Sequence, residues 1–336
     1  SSILFNLNSA ETTDEIQLIT SQAAPLLTKF QNDINLNEVL FDRIRYVYEN
    51  NDQKNLNSEQ KTLLEKQYKG FVRNGALLGK SEKKKLRIID AKLAKLSLSF
   101  GQNILAETQA YELHIKDEKK LRGLPESLVE MTKSIADKKG KKGWIVTLDY
   151  PIYIPFITYS EERELRKEIT LAFGKRGYQK NKNNNTEIII EIISLRKERA
   201  KLLGYNSHAE FILEERMASS VSEVKKFLDD LAIKAFPAAE KEWKAMNTFA
   251  KSKLNLKKLE KWDSAFVSEK MKKAQLDLDE LELKPFFSLD NVLNGLFKIV
   301  KKLYELDFNE NYDIQRYNNE VRVFEVFKNG KFYALL

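Results

Sequence analysis

The sequence predicts a mainly α protein, a multi-helix assembly with a short β-hairpin at its C-terminal end. Three observations carry that expectation. Gly (12) and Pro (6) are scarce among 336 residues, too few for the many turns of an all-β chain, whereas long helices need few breakers. Apolar residues make up 42% of the chain and recur at three- or four-residue intervals through most of it. The tail alternates instead, from Glu320-Val321-Arg322-Val323 through Phe324-Glu325-Val326-Phe327. Asn329-Gly330 then supplies a hairpin turn into Lys331–Leu336.

The elements follow in order. A helix is expected over Glu11–Phe30, opening after Ser9, with Ile16, Ile19, Ala23 and Leu27 on one face. Asn37–Asn50 follows, with Val39, Leu40, Ile44 and Val47 as its apolar side. A third helix starts at Ser58-x-x-Lys61 and runs to about Leu78. A long amphipathic helix over Lys80–His114 carries Leu86, Ile89, Leu93, Leu96 and Phe100. Trp144–Asp149 reads as β-like, and Pro151 and Pro155 break helix on either side of Ile152-Tyr153-Ile154. Ser160 is an N-cap with acidic residues behind it. Asn181–Asn185 is a connector, after which Thr186 caps a helix that ends at Gly204. Helices over Val221–Lys253 and Asn291–Leu306 complete the set.

Composition narrows the chemistry. Zero Cys removes disulfides, thiolate nucleophiles, Cys-ligated zinc and iron–sulfur clusters, and fits a reducing compartment. Only two His remain for imidazole chemistry. The net charge of +8 invites a nucleic-acid reading, but Lys and Glu interleave almost everywhere. Glu161-Glu162-Arg163-Glu164-Leu165-Arg166-Lys167-Glu168 has the pattern of a solvated helix face. Lys138-Lys139-Gly140-Lys141-Lys142 reads as a solvated loop, with no aromatic stacking platform on both sides. No stretch approaches the roughly 18–20 uncharged apolar residues that span a bilayer. The start, Ser1-Ser2-Ile3-Leu4-Phe5, has no signal-peptide character and reads as a processed or cut terminus. The apolar end Lys331–Leu336 predicts a strand separated from its continuation.

Motif tests return no active site. Asn74-Gly75-Ala76-Leu77-Leu78-Gly79-Lys80-Ser81 ends like a phosphate-binding loop, but it lacks the first Gly and follows a helix rather than a strand. A helix–helix turn is the expectation. His208-Ala209-Glu210 has the H-x-E form of a zinc deaminase without the Cys ligands that site requires. His114 precedes Glu118 by four residues, and the two His stand 94 positions apart, so no paired-His helical zinc site forms. Catalytic and metal-binding residues are therefore expected to be absent.

Recognition comes from other residues. Phe71–Leu78, Leu86-Arg87-Ile88-Ile89-Asp90 and Leu93-Ala94-Lys95-Leu96-Ser97-x-x-Phe100-Gly101-Gln102-Asn103 resemble the zinc oligopeptidases of the oligopeptidase A, peptidyl-dipeptidase Dcp and thimet oligopeptidase type. The resemblance continues through Thr147–Pro151, Leu202-Leu203-Gly204-Tyr205, Ala209-Glu210-Phe211, Lys261–Phe266 and Leu283–Phe287. It ends at Val321–Val326 and so covers essentially the whole chain. The peptidyl-dipeptidase branch looks nearest. His208 departs from a common aromatic, and Phe286 from a common Tyr.

The resemblance implies a neurolysin-like N-terminal half, mostly helical, beside a deep channel in which short peptides are cleaved. It implies zinc in the parent protein, held by H-E-x-x-H and a further Glu on a helix beyond the last strand here. Two imidazoles on one face hold such a metal, and the intervening Glu takes a proton from its water. H-E-x-x-H occurs nowhere in the chain, so this chain is expected to bind no catalytic zinc and to be inactive alone. Residues 1–143 are expected to form a first helical region, 144–318 a second that walls the channel, and 319–336 the start of a β element. Trp262, Asp263 and Phe266 are the channel-wall candidates, since amphipathic aromatics suit peptide contact. Their plainer role is Trp262 as a packing anchor, with Asp263 capping or pairing locally. The implied partners are short peptides and the absent catalytic half, with self-association through exposed apolar surface. Nucleic acid and membrane are not expected partners, and the location is expected to be cytoplasmic, with the periplasm as the alternative. A competing reading is a non-catalytic helical module that binds peptides or a protein.

Overall fold

A computed structural model describes residues 2–50, 55–277 and 280–336; Ser1, at the start read as a processed terminus, lies outside them. The chain divides into two compact units, Ser1–Ser268 and Glu269–Leu336. The fold is mainly α, as expected, with short antiparallel strands.

The first unit opens with α1 (Ser2–Ala10), which the sequence did not announce, and α2 (Asp14–Asn35). Thr13 caps α2 by accepting the Ile16 N–H, so the helix starts later than Ser9 suggested. α3 (Glu38–Asn50) and α4 (Ser58–Arg73) pack through aromatics. Phe41 stacks on Tyr68 and Phe71, and Tyr48 lies 4.0 Å from Tyr68. The stripe expected on α3 is corrected here: Val39, Leu40 and Val47 are exposed, and the buried side runs through Phe41 and Ile44. Asn57 and Gln60 form a reciprocal capping box at the start of α4.

α5 (Lys80–Ala110) buries Leu86 and Ile89. It stops short of the expected His114, because Leu113–Ile115 forms β1 instead. β1 pairs antiparallel with β2 (Trp144–Val146), His114 opposite Ile145. Leu113 and Ile115 enter the main core with Val146, Leu148, Phe156 and Ile169. Non-local pairing thus overrides a helical pattern. α6 (Glu126–Lys138) lies between the two strands in sequence.

The second correction concerns the prolines. Tyr150–Tyr159 is a helix, α7, despite Pro151 and Pro155. Pro151 occupies the first turn, where its missing N–H has no helical partner to lose. Burial of Ile152, Tyr153 and Phe156 outweighs the one bond that Pro155 forfeits. α8 (Arg163–Gly174) starts three residues beyond Ser160, whose Oγ accepts the Glu162 N–H. The Asn181–Asn185 connector is ordered: Asn185 is buried and accepts a 2.8 Å bond from Asn103. α9 (Thr186–Leu202) ends before Gly204, which is at φ +87°. α10 (His208–Leu213) leads to α11 (Val221–Lys253), whose bounds match the sequence expectation. α12 (Ser264–Leu276) carries the division between the units.

The second unit holds α13 (Glu280–Leu283), α14 (Leu289–Tyr304) and an antiparallel sheet of order β3-β4-β5. α14 ends on Glu305 at φ +62° and turns directly into β3 (Leu306–Asn311), a strand the sequence reading did not include. β4 (Val323–Lys328) and β5 (Lys331–Leu335) form the expected hairpin. Asn329 and Gly330 take φ +52° and +71°, the left-handed pair that a two-residue turn requires. Phe297 on α14 stacks on Phe308 and meets Phe324 edge-on, covering one face of the sheet.

Candidate functional site

The three candidate residues fall on a 3-10 turn, Lys261–Asp263, and the first turn of α12. Glu260 precedes the turn and donates its backbone N–H to Asp263 at 3.1 Å, which caps the segment. The same carboxylate is the focus of two arginines from α8. Asp263 Oδ1 accepts Arg166 Nη2 at 2.9 Å, and Oδ2 accepts Arg163 Nη2 at 2.8 Å. Arg163 Nε reaches both oxygens, at 3.0 and 3.2 Å.

Asp263 is 0% and Arg166 1% exposed. Arg166 uses its remaining donors on the Ser160 and Trp262 carbonyls, and its guanidinium lies 4.1 Å from the centre of the Phe266 ring. Burial opposes ionisation of Asp263, but the bonds from Arg163 and Arg166 outweigh it and hold the carboxyl below its ordinary value. Trp262 is half-buried with the Lys167 ammonium 5.4 Å from its ring. Trp262, Asp263 and Phe266 thus meet around Arg166. With its oxygens engaged by four donors, Asp263 is an anchor and has no free lone pair aimed at a substrate.

This overturns the solvated-face reading of Glu161–Glu168, because Arg166 is buried and Arg163 is bound to Asp263. Local charge alternation hid that pairing. The apolar Phe266 three residues beyond Asp263 was the one sequence signal for a buried neighbourhood.

The motif-like segments resolve as structure. Residues 74–79 form the turn between α4 and α5, Lys80 and Ser81 open α5, and a helix rather than a strand precedes them. Gly75 sits at φ +90°, and a Cβ there would stand 2.6 Å from the buried Leu86 side chain. His114 lies on β1, its Nε2 2.8 Å from the Lys142 carbonyl, so it shares no helical face with Glu118. Lys139 and Lys141 both pair with Glu112 and tie the basic loop down. Their bonds hold the Glu112 carboxyl at about 2.

His208 opens α10 with a buried, unpartnered Nδ1. Burial, then Arg196 and Arg199, lower its pKa. Cations beside an imidazole oppose a bound metal, and among the described residues no three His, Cys, Asp or Glu come together as metal ligands. The described residues do not fit a zinc ion.

The model of peptidase family M3 matches residues 156–334. The chain belongs to peptidase family M3. Its relatives in that family include oligopeptidase A of Salmonella typhimurium, 32% identical over 98% of this chain and 50% of the relative. Dipeptidyl carboxypeptidase of Escherichia coli is 30% identical over 99% of the chain and 50% of the relative. Organellar oligopeptidase A of Arabidopsis thaliana is 31% identical over 96% and 42%. This M3 chain therefore spans about half the length of the relatives it matches. Family M3 peptidases are zinc metallopeptidases in general, and that metal has no ligand set among the residues described here.

Proposed function

We propose that this chain is the N-terminal, non-catalytic part of a zinc-dependent oligopeptidase or peptidyl-dipeptidase that hydrolyses short peptides in the cytoplasm. In this reading residues 1–143 and 144–318 are helical regions, the second walling the substrate channel. Residues 319–336 begin the β element that leads to the catalytic domain. Trp262, Asp263 and Phe266 lie at that wall, with Trp262 offering its half-buried ring to peptide and Asp263 fixing the turn that carries it. Zinc belongs to residues outside this chain, and the chain alone is inactive.

The observation that carries the reading is the match over 98% of this chain and half of oligopeptidase A, with no H-E-x-x-H in the sequence. Within its own unit α14 leaves an apolar row uncovered, Leu289, Val292, Leu296, Ile299 and Leu303, at the spacing of a helix-packing seam. Such a row suits burial against further protein.

A fluorogenic oligopeptide incubated with the chain and added zinc tests this. No chelator-sensitive cleavage is expected. Cleavage by this chain alone overturns the assignment of zinc and catalysis to other residues. Calorimetry with the same peptide separates the competing reading, since a stand-alone peptide-binding module gives tight saturable binding without cleavage.

A further inference from the structure

α5 and α9 pack side by side and run antiparallel. Asn103 bonds Asn185 near one end of their contact, and Asp90 pairs with Arg199 at 2.8 Å near the other. Between these ties an open groove of about 490 Å³ is lined by Ser97 and Phe100 from α5 and by Ile189, Ile192, Ile193 and Arg196 from α9. That volume lies within the range of small-molecule sites. The groove is polarised along its length. Ile189, Ile193 and Arg196 follow one another at i, i+4 and i+7 on one helical face, so Ile189 and Arg196 stand about 10 Å apart along the axis. The antiparallel pairing puts Phe100 beside Ile189 and Ser97 level with Ile192, in the middle of the groove, and leaves Arg196 at the polar end.

Two features give the groove a chemistry. Its apolar walls are open to solvent: Ile189 is 44% and Ile193 61% exposed. Arg196 has no carboxylate or hydrogen-bond partner among the described residues, in contrast to Arg199 one turn on. A planar guanidinium with free donors matches a single carboxylate.

We propose that the α5–α9 groove binds a linear aliphatic carboxylate, its tail against Phe100 and Ile189 and its carboxylate on Arg196. The site does not depend on the peptidase reading. Nor does it use Trp262, Asp263 or Phe266. His208 provides a built-in reporter, because Arg196 depresses its ionisation and a carboxylate on Arg196 relieves that effect. With only two His in the chain, its proton resonance is readily followed.

The test is calorimetric titration of the whole chain with dodecanoate and with dodecanol, both below self-association. Saturable one-site binding of dodecanoate is expected, at least tenfold tighter than dodecanol. Arg196→Gln should weaken dodecanoate tenfold or more while leaving dodecanol unchanged. Arg196→Lys, which keeps the charge and loses the fork, should fall between. Ile193→Glu should abolish binding of both. In parallel, dodecanoate should raise the titration midpoint of His208 in the parent chain and not in Arg196→Gln. Unsaturable binding, equal affinity for the two probes, indifference to Arg196→Gln, or an unmoved His208 overturns the proposal.

Discussion

Arg166 and Asp263, 97 residues apart in sequence, form an ion pair of 2.9 Å in which neither side chain is more than 1% exposed. The pair joins α8 to the start of α12, and its cost and benefit are lopsided. Two charges out of water gain little net stability while both are present, but removing one leaves the other buried and unanswered.

Asp263→Ala should therefore destabilise the chain by roughly 3–5 kcal/mol, read as a lower urea midpoint with an unchanged slope. Asp263→Asn keeps the shape and loses the charge, so it should still cost at least about 1.4 kcal/mol, a tenfold step in the folding equilibrium. A loss below that in both variants would mean that solvent reaches Arg166.

Gly75→Ala tests why a phosphate-loop-like segment carries its glycine. The substituted Cβ meets Leu86 at 2.6 Å and Leu78 at 2.9 Å with φ held at +90°. A loss of about 1–3 kcal/mol in thermal or urea unfolding is expected. ATP titrated against the parent chain should give no heat of binding, and the variant should not differ.

Glu112 sets an acid limb. Its folded pKa of about 2 lies below the ordinary 4.5, so at intermediate pH the unfolded chain binds more protons. The stabilisation is present above pH 4.5 and is lost as pH falls toward 2. The pairs with Lys139 and Lys141 are partly exposed, which limits each to at most about 1 kcal/mol and makes it salt-sensitive. Acid unfolding of Glu112→Gln against the parent, at low and high salt, should show the difference shrinking with salt.

His208 acts with the opposite species. Its folded pKa lies below 6.5, lowered by burial and by Arg196 and Arg199, while Asp90 answers only Arg199. The unfolded chain binds the proton first, so stability falls as pH drops through 6.5 toward the folded value. Arg196→Gln should raise the His208 midpoint in an NMR titration and flatten that slope.

What was legible in the sequence was what local chemistry sets. The helix over Val221–Lys253 was legible from the sequence, and Ser220 caps its start by accepting the Glu223 N–H. Asn329-Gly330 announced its hairpin in the same way. The misreadings share another cause. β1 exists because His114 finds Ile145 across 31 positions, and α7 survives two prolines because the core wants Phe156. Arg166 is buried because Asp263 waits far along the chain. At the candidate site, the capping role of Asp263 was local and readable; its two arginines were not. The outward faces of Ile189 and Ile193 looked like ordinary helix, since periodicity locates a stripe without saying what covers it.

The Asn329-Gly330 turn also has a consequence in time. A hairpin closed by two residues forms on a scale of about 1–10 μs, whereas bringing Arg166 to Asp263 means closing a loop of nearly a hundred residues against its entropy. The β4–β5 ribbon is thus available as an early, self-contained nucleus for its unit. Joining Arg166 to Asp263 carries the larger loop-closure cost, and the Asp263 carboxylate keeps its water until that loop closes.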